Sequence, residues 1–138
     1  FPQYEEWIRM YYGRWEEMLG NSIKGTVEIL NHLLRNPNYR VVALTNWSAE
    51  TFPVALERFE FLHRFEGIVV SGTENTRKPF AEIYQLTLDR FDFMAEESLF
   101  IDDNLRNIEA AANLGIHTIH FKNPEDLKLN LLAKAIRL

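Results

Sequence analysis

The strongest constraint on the fold is a set of short, wholly apolar runs, each closed by polar residues. Val41–Leu44 ends on Thr45, Ile68–Val70 ends on Ser71, and Leu99–Ile101 ends on Asp102 and Asp103. Continuous apolarity, as opposed to alternation, marks strands covered on both faces, the condition of a parallel sheet between helical layers. The spacing predicts strands at 40–45, 67–71, 98–102 and 116–121. Helices are predicted at about 24–35, 49–59, from Pro79 to about Phe91, at 105–114 and at 124–136. Ser48 is placed to cap the helix after the first of these strands. Gly115 is placed to close the helix before the last strand in a left-handed conformation. Strands alternating with helices imply the α/β class, a Rossmann-like doubly wound parallel sheet.

Ahead of this alternation, Tyr4, Trp7, Ile8, Tyr11, Trp15, Met18 and Leu19 recur at helical spacing, which predicts an amphipathic helix over 4–19. Gly20-Asn21-Ser22 stops it, and the natural boundary of the α/β core falls there. With 138 residues and 46% hydrophobic content, one compact core is expected. A net charge of −5 with dispersed Lys and Arg argues against a nucleic-acid surface. No apolar stretch approaches the ~20 residues of a membrane span. Neither is there a signal-peptide pattern. The absence of cysteine excludes disulfides and thiol chemistry and fits a reducing cytoplasm. The first residue is Phe1, not Met, which suggests a processed or truncated chain.

In an open parallel sheet, ligands bind at the carboxyl ends of the strands. There the sequence places the hydroxyl of Thr45, the amide of Asn46 and the carboxylates of Asp102 and Asp103. Lys78 lies on the loop between these two strands, with Pro79 suited to the first turn of the next helix. Hydroxyl, amide and ammonium groups can hold the oxygens of a compact anion as charge develops on them. Adjacent carboxylates repel, so Asp102-Asp103 calls for a cation or donors nearby. Each residue also has a plainer reading. Thr-Asn is common turn chemistry, Asp103 or Asn104 can cap the next helix, and Lys78 can be a solvated loop lysine. Trp47 either shapes a substrate entrance or is a rim aromatic, and Arg77 reads as surface. His117 and His120 lie three apart on one strand, a poor spacing for a shared metal, and read as structural.

Together, Thr45, Lys78 and Asp102-Asp103 resemble the second, third and fourth motifs of the haloacid dehalogenase superfamily of hydrolases, in the family's order. The resemblance covers residues 21–138 as the core and implies that residues 1–20 are a remnant of the helical cap. The family's first motif, an Asp-x-Asp on the first strand, has no counterpart here. The resemblance implies a phosphatase using Mg²⁺, with a small phosphorylated metabolite as substrate and an aspartyl-phosphate intermediate in the intact parent. Thr45, Asn46 and Lys78 would hold the phosphoryl group, with Trp47 beside it. Asp103 would be the direct metal ligand and Asp102 the alternative. Asn107, where many relatives have another acid, would orient a metal-bound water. A 2-haloacid dehalogenase is the first rival, but such enzymes carry small polar residues where this chain has Asp102-Asp103. A non-catalytic fragment or binding module is the second, and this chain alone is expected to be inactive. Finally, the family's first strand lies between the strands at 40–45 and 98–102. Without it the slot must be filled by a cleaved N-terminal peptide, by a segment swapped from another copy, or by direct pairing of the flanking strands.

Overall fold

A computed structural model describes residues 8–11 and 21–136. Five parallel strands form one sheet: β1 (Ile8–Tyr11), β2 (Arg40–Thr45), β3 (Ile68–Val70), β4 (Ser98–Asp102) and β5 (His117–His120), in the order β3-β2-β1-β4-β5. The connections carry helices α1 (Asn21–Arg35), α2 (Phe52–Arg58), α3 (Ser71–Glu74), α4 (Ala81–Phe91) and α5 (Leu105–Asn113), and α6 (Pro124–Ala133) follows the last strand. The protein thus has the expected α/β architecture, a Rossmann-like parallel sheet. Among the described residues no helix is long and apolar enough to cross a membrane.

The apolar runs are buried on both faces for the reason their composition suggested. Side chains alternate across a strand. Val41, Ala43, Leu99 and Ile101 therefore join one cluster with Ile29 and Leu33 of α1 and Leu127 and Leu131 of α6. Val42, Leu44 and Phe100 join the opposite cluster with Ile83, Tyr84 and Leu88 of α4 and Ile108 and Ala111 of α5. All residues of β4, and β2 from Val41 onward, are buried. Gly115 has φ +84°, the left-handed conformation expected of it after α5.

The main correction lies at the start of the chain. Ile8–Tyr11 is a strand, not part of a helix over 4–19. It runs parallel to both β2 and β4, with Ile8 opposite Arg40 and Ser98 and Tyr11 opposite Ala43 and Ile101. The central slot is where it was expected, but its occupant is the chain itself, so neither a cleaved peptide nor a swapped segment is required to fill it. Two unpaired strand edges inside a sheet are a stronger determinant than a helical period over a short aromatic-rich stretch. The sequence Ile-Arg-Met-Tyr also alternates apolar and polar residues, which a strand accepts equally well. The rest of the expected helix, and with it most of the expected cap remnant, lies outside the described residues. Smaller differences are local. Helix α2 begins at Phe52, not near 49, because Ser48 closes a preceding turn, its Oγ accepting the Thr51 N–H at 3.1 Å. The short helix α3 and the 3-10 turns at Glu60–Arg64 and Ala95–Glu97 were not anticipated.

Candidate active site

The ends of β2 and β4 lie one strand apart, and the loop after α3 reaches across to them. Its anchor is Asn46. The Asn46 side chain accepts the Lys78 N–H at 3.0 Å and donates to the Lys78 carbonyl at 3.1 Å. This two-point clamp fixes the backbone of a residue 32 positions away. The same amide was read from sequence as a phosphoryl ligand. The structure places it first as the piece that positions Lys78. The Lys78–Pro79 peptide bond is cis.

From that fixed backbone the Lys78 side chain runs inward. Its Nζ donates to Asp102 Oδ2 at 2.8 Å and to the Leu44 carbonyl at 3.1 Å. Both side chains of this ion pair are fully buried. Burying two charges costs several kcal/mol per ion unless geometry and further hydrogen bonds offset it. The further bonds are present. Asp102 Oδ2 also accepts from Asn107 Nδ2 at 3.1 Å, and Asp102 Oδ1 accepts the Asn104 N–H at 2.8 Å. The Lys78 ammonium also stands 5.6 Å from the centre of the Phe100 ring, which adds a cation–π attraction.

Tyr84 completes the arrangement and was missed by sequence reading. Its hydroxyl donates to the Asn107 carbonyl at 2.9 Å, and its ring meets Phe100 edge-on at 5.4 Å. Burial pushes the phenol well above its usual range, and the charge of Asp102 adds to the effect. It therefore stays protonated and remains a donor. In sequence Tyr84 is one more apolar position on a helix, so only its buried hydroxyl in three dimensions reveals the role.

Thr45 is buried at the end of β2, directly after the carbonyl that Lys78 contacts. Its hydroxyl Oγ1 is buried and has no hydrogen-bond partner among the described residues. Most buried hydroxyls are paired, so this one is an exception that calls for a partner. Asp103 is half-buried, with its Oδ1 inaccessible, and His120 Nε2 lies 2.9 Å from the Asp103 carbonyl oxygen. His117 Nε2 lies 3.1 Å from the Glu96 carbonyl oxygen, so both histidines bond to backbone oxygens.

The structure thus brings Asn46, Lys78, Asp102 and Asn107 into one hydrogen-bonded network, with Thr45 and Asp103 adjoining it along the chain. The two acids differ. Asp102 is engaged through both oxygens, while Asp103 is half-buried beside it. Asn107 directs its amide to Asp102. Among the described residues no three His, Asp or Glu side chains converge. The carboxylate oxygens at this strand end are of the hard type that Mg²⁺ takes.

Trp47 faces a different feature. Its N–H donates to Ser71 Oγ at 3.0 Å, and its carbonyl accepts from Ser71 Oγ at 3.2 Å and from Gly72 N–H at 2.9 Å. A Cβ at Gly72 would lie 2.4 Å from the Ala49 nitrogen, so only glycine permits this close approach. The stitched loops form one wall of an open cavity of about 640 Å³, lined also by Asn46, Arg77 and Phe80.

Residues 2–121 match the family model described as haloacid dehalogenase-like hydrolase. Over 87 residues the chain is 34% identical to a sesquiterpene phosphatase of Aspergillus oryzae, a stretch covering 63% of this chain and 44% of that protein. It is 31% identical over 90 residues to a glyceraldehyde 3-phosphate phosphatase of Pyrococcus abyssi, covering 64% of this chain and 38% of that one. The chain spans less than half the length of these two curated relatives. Among solved structures, a wild-type family enzyme from Bacteroides thetaiotaomicron, in complex with magnesium and inorganic phosphate, superposes with a TM-score of 0.62 at 26% identity. That match covers 70% of this chain and 52% of that one.

Proposed function

Because the chain belongs to the haloacid dehalogenase-like hydrolase family, we propose that its strand ends form the phosphoryl-binding half of a magnesium-dependent phosphatase acting on a small phosphorylated metabolite. The observation that carries this reading is the buried Thr45 hydroxyl, unpartnered among the described residues and one residue past the Leu44 carbonyl that Lys78 contacts. A phosphoryl oxygen would satisfy it. The phosphatase relatives and the magnesium–phosphate complex of a structural neighbour support the same reading.

In this arrangement Thr45 donates to a phosphoryl oxygen, and Lys78 supplies fixed positive charge from a site that excludes water. Asp102 pairs with that ammonium and aims it, Asn107 and the Asn104 N–H hold Asp102, and Tyr84 holds the turn that bears Asn107. Asn46 sets the Lys78 backbone. Such preorganised groups favour the transition state because they need not reorient as charge develops. Asp103 would hold Mg²⁺, which would neutralise phosphoryl charge when bound. The family's attacking aspartate lies ahead of the threonine motif, whereas the first aspartate of this chain is Asp89. No aspartate precedes Thr45 in this sequence, and the central slot is taken by β1, Ile8–Tyr11. The missing aspartate also favours a second reading, a phosphate-binding module without catalysis.

The test is phosphate release from an aryl phosphate by the natural protein that carries this chain. Release should require Mg²⁺, and halide should not be released from 2-chloropropionate. At ~100 times its dissociation constant, Mg²⁺ should stabilise the protein by ~2.7 kcal/mol, an effect that Asp103→Asn should abolish. Metal-independent halide release would install the dehalogenase reading. Phosphate binding with no turnover would install the binding-module reading.

A further inference from the structure

The cavity beside the phosphoryl site is not used by the chemistry above. It shares Asn46 with that site, because Asn46 both lines the cavity and clamps Lys78. Its other walls include Trp47, Ser71, Arg77, Phe80 and Glu82. Phe80 is a large apolar residue left 53% exposed, immediately before α4. The Arg77 guanidinium stands 5.7 Å from the centre of the Phe80 ring and makes no ion pair among the described residues. Trp47 is held in place on both sides, by Ser71 at its backbone and by Phe52 edge-on at 5.9 Å. The wall thus presents a phenyl ring and a guanidinium beside Trp47, with polar loop residues between them.

We propose that this cavity receives the leaving group of the phosphomonoester, and that this group is a flat aromatic or conjugated ring bearing hydrogen-bonding substituents. The inference rests on the phosphoryl-site reading and adds the substrate class to it. Guanidinium and aromatic faces attract a planar π system through stacking and cation–π contact. Asn75 and Thr76, which share the lining, would turn away a purely hydrocarbon chain, which cannot satisfy their side chains. Glu82 is the one acid among the lining residues. It sits in the first turn of α4, where the helix's own N–H groups favour negative charge. Arg77 was read from sequence as ordinary surface, and Phe80 carried no signal at all.

Calorimetric titration of the 138-residue chain with inorganic phosphate and with 4-nitrophenyl phosphate separates the two sites. The aryl ester should bind roughly tenfold more tightly than inorganic phosphate, the scale of a stacking contact. The double variant Arg77→Gln/Phe80→Ala should lose that gain while its affinity for inorganic phosphate stays unchanged. Both positions are on the rim, outside the buried network, so folding is not at stake. Equal affinity for the two ligands, with phosphate bound, would overturn this inference and leave the phosphoryl site standing. So would a gain that survives in the double variant. Failure of inorganic phosphate itself to bind would remove the phosphoryl-site reading and this inference with it.

Discussion

At the scale of residues, the Lys78–Asp102 pair governs the site. Both side chains are fully buried, so removing one leaves an uncompensated charge in the interior. Breaking a buried pair in this way costs ~3–5 kcal/mol, whereas replacing both partners by apolar groups is often close to neutral. Lys78→Met should therefore lower the urea midpoint sharply, and Lys78→Met/Asp102→Leu should recover much of the loss. Two equal, additive losses would mean that the two residues do not depend on each other. Much of this site was legible in the sequence, because Thr45, Lys78 and Asp102 each follow an apolar run or precede a proline. The partnerships were not legible. Nothing local says that Lys78 reaches Asp102, that Asn46 grips a backbone 32 residues away, or that Tyr84 supports Asn107. Those are contacts between elements, and spacing along one element does not encode them.

At the scale of elements, two ion pairs tie neighbouring pieces together at the sheet's periphery. Arg90 of α4 pairs with Glu74 of α3 at 2.8 Å, and Arg40 of β2 pairs with Glu66 just before β3. The hydrogen bond from its arginine holds each glutamate below the ordinary carboxylate value of 4.5, with burial opposing. A carboxylate with a lowered folded pKa contributes stability that is present above the ordinary value and lost as pH falls through the folded one. Melting temperature should therefore decline as pH drops below about 4.5, and Glu74→Gln should flatten part of that decline. The pairs are substantially exposed, so each is worth at most about 1 kcal/mol. An unchanged slope in the variant would remove Glu74 from this account. Strand and helix assignments from sequence succeeded wherever the apolar run was long or the period clear, as in β2, β4 and α5. They failed at residues 8–11, where four residues fit either period and pairing between distant strands decided the outcome.

At the scale of the whole molecule, β1 joins two halves, β3-β2 and β4-β5, that otherwise share no strand pairing. A proline inside a central strand removes a ladder hydrogen bond and is not tolerated there. Met10→Pro should abolish cooperative unfolding, measured by circular dichroism against denaturant; a variant that unfolds like the parent would show that these residues do not hold the sheet together. The same topology sets β2 and β4 one strand apart, so that their carboxyl ends frame the proposed phosphoryl site. The most direct test of that site is Thr45→Val, a nearly isosteric change, with stability and inorganic phosphate affinity measured on the same sample. If the Thr45 hydroxyl waits for a phosphoryl oxygen, deleting this buried group, unpartnered among the described residues, should leave stability unchanged or raise it by up to ~1–3 kcal/mol, while phosphate affinity falls at least several-fold. Lower stability with unaltered phosphate affinity would contradict the account, because it would make the hydroxyl a structural bond and not a ligand.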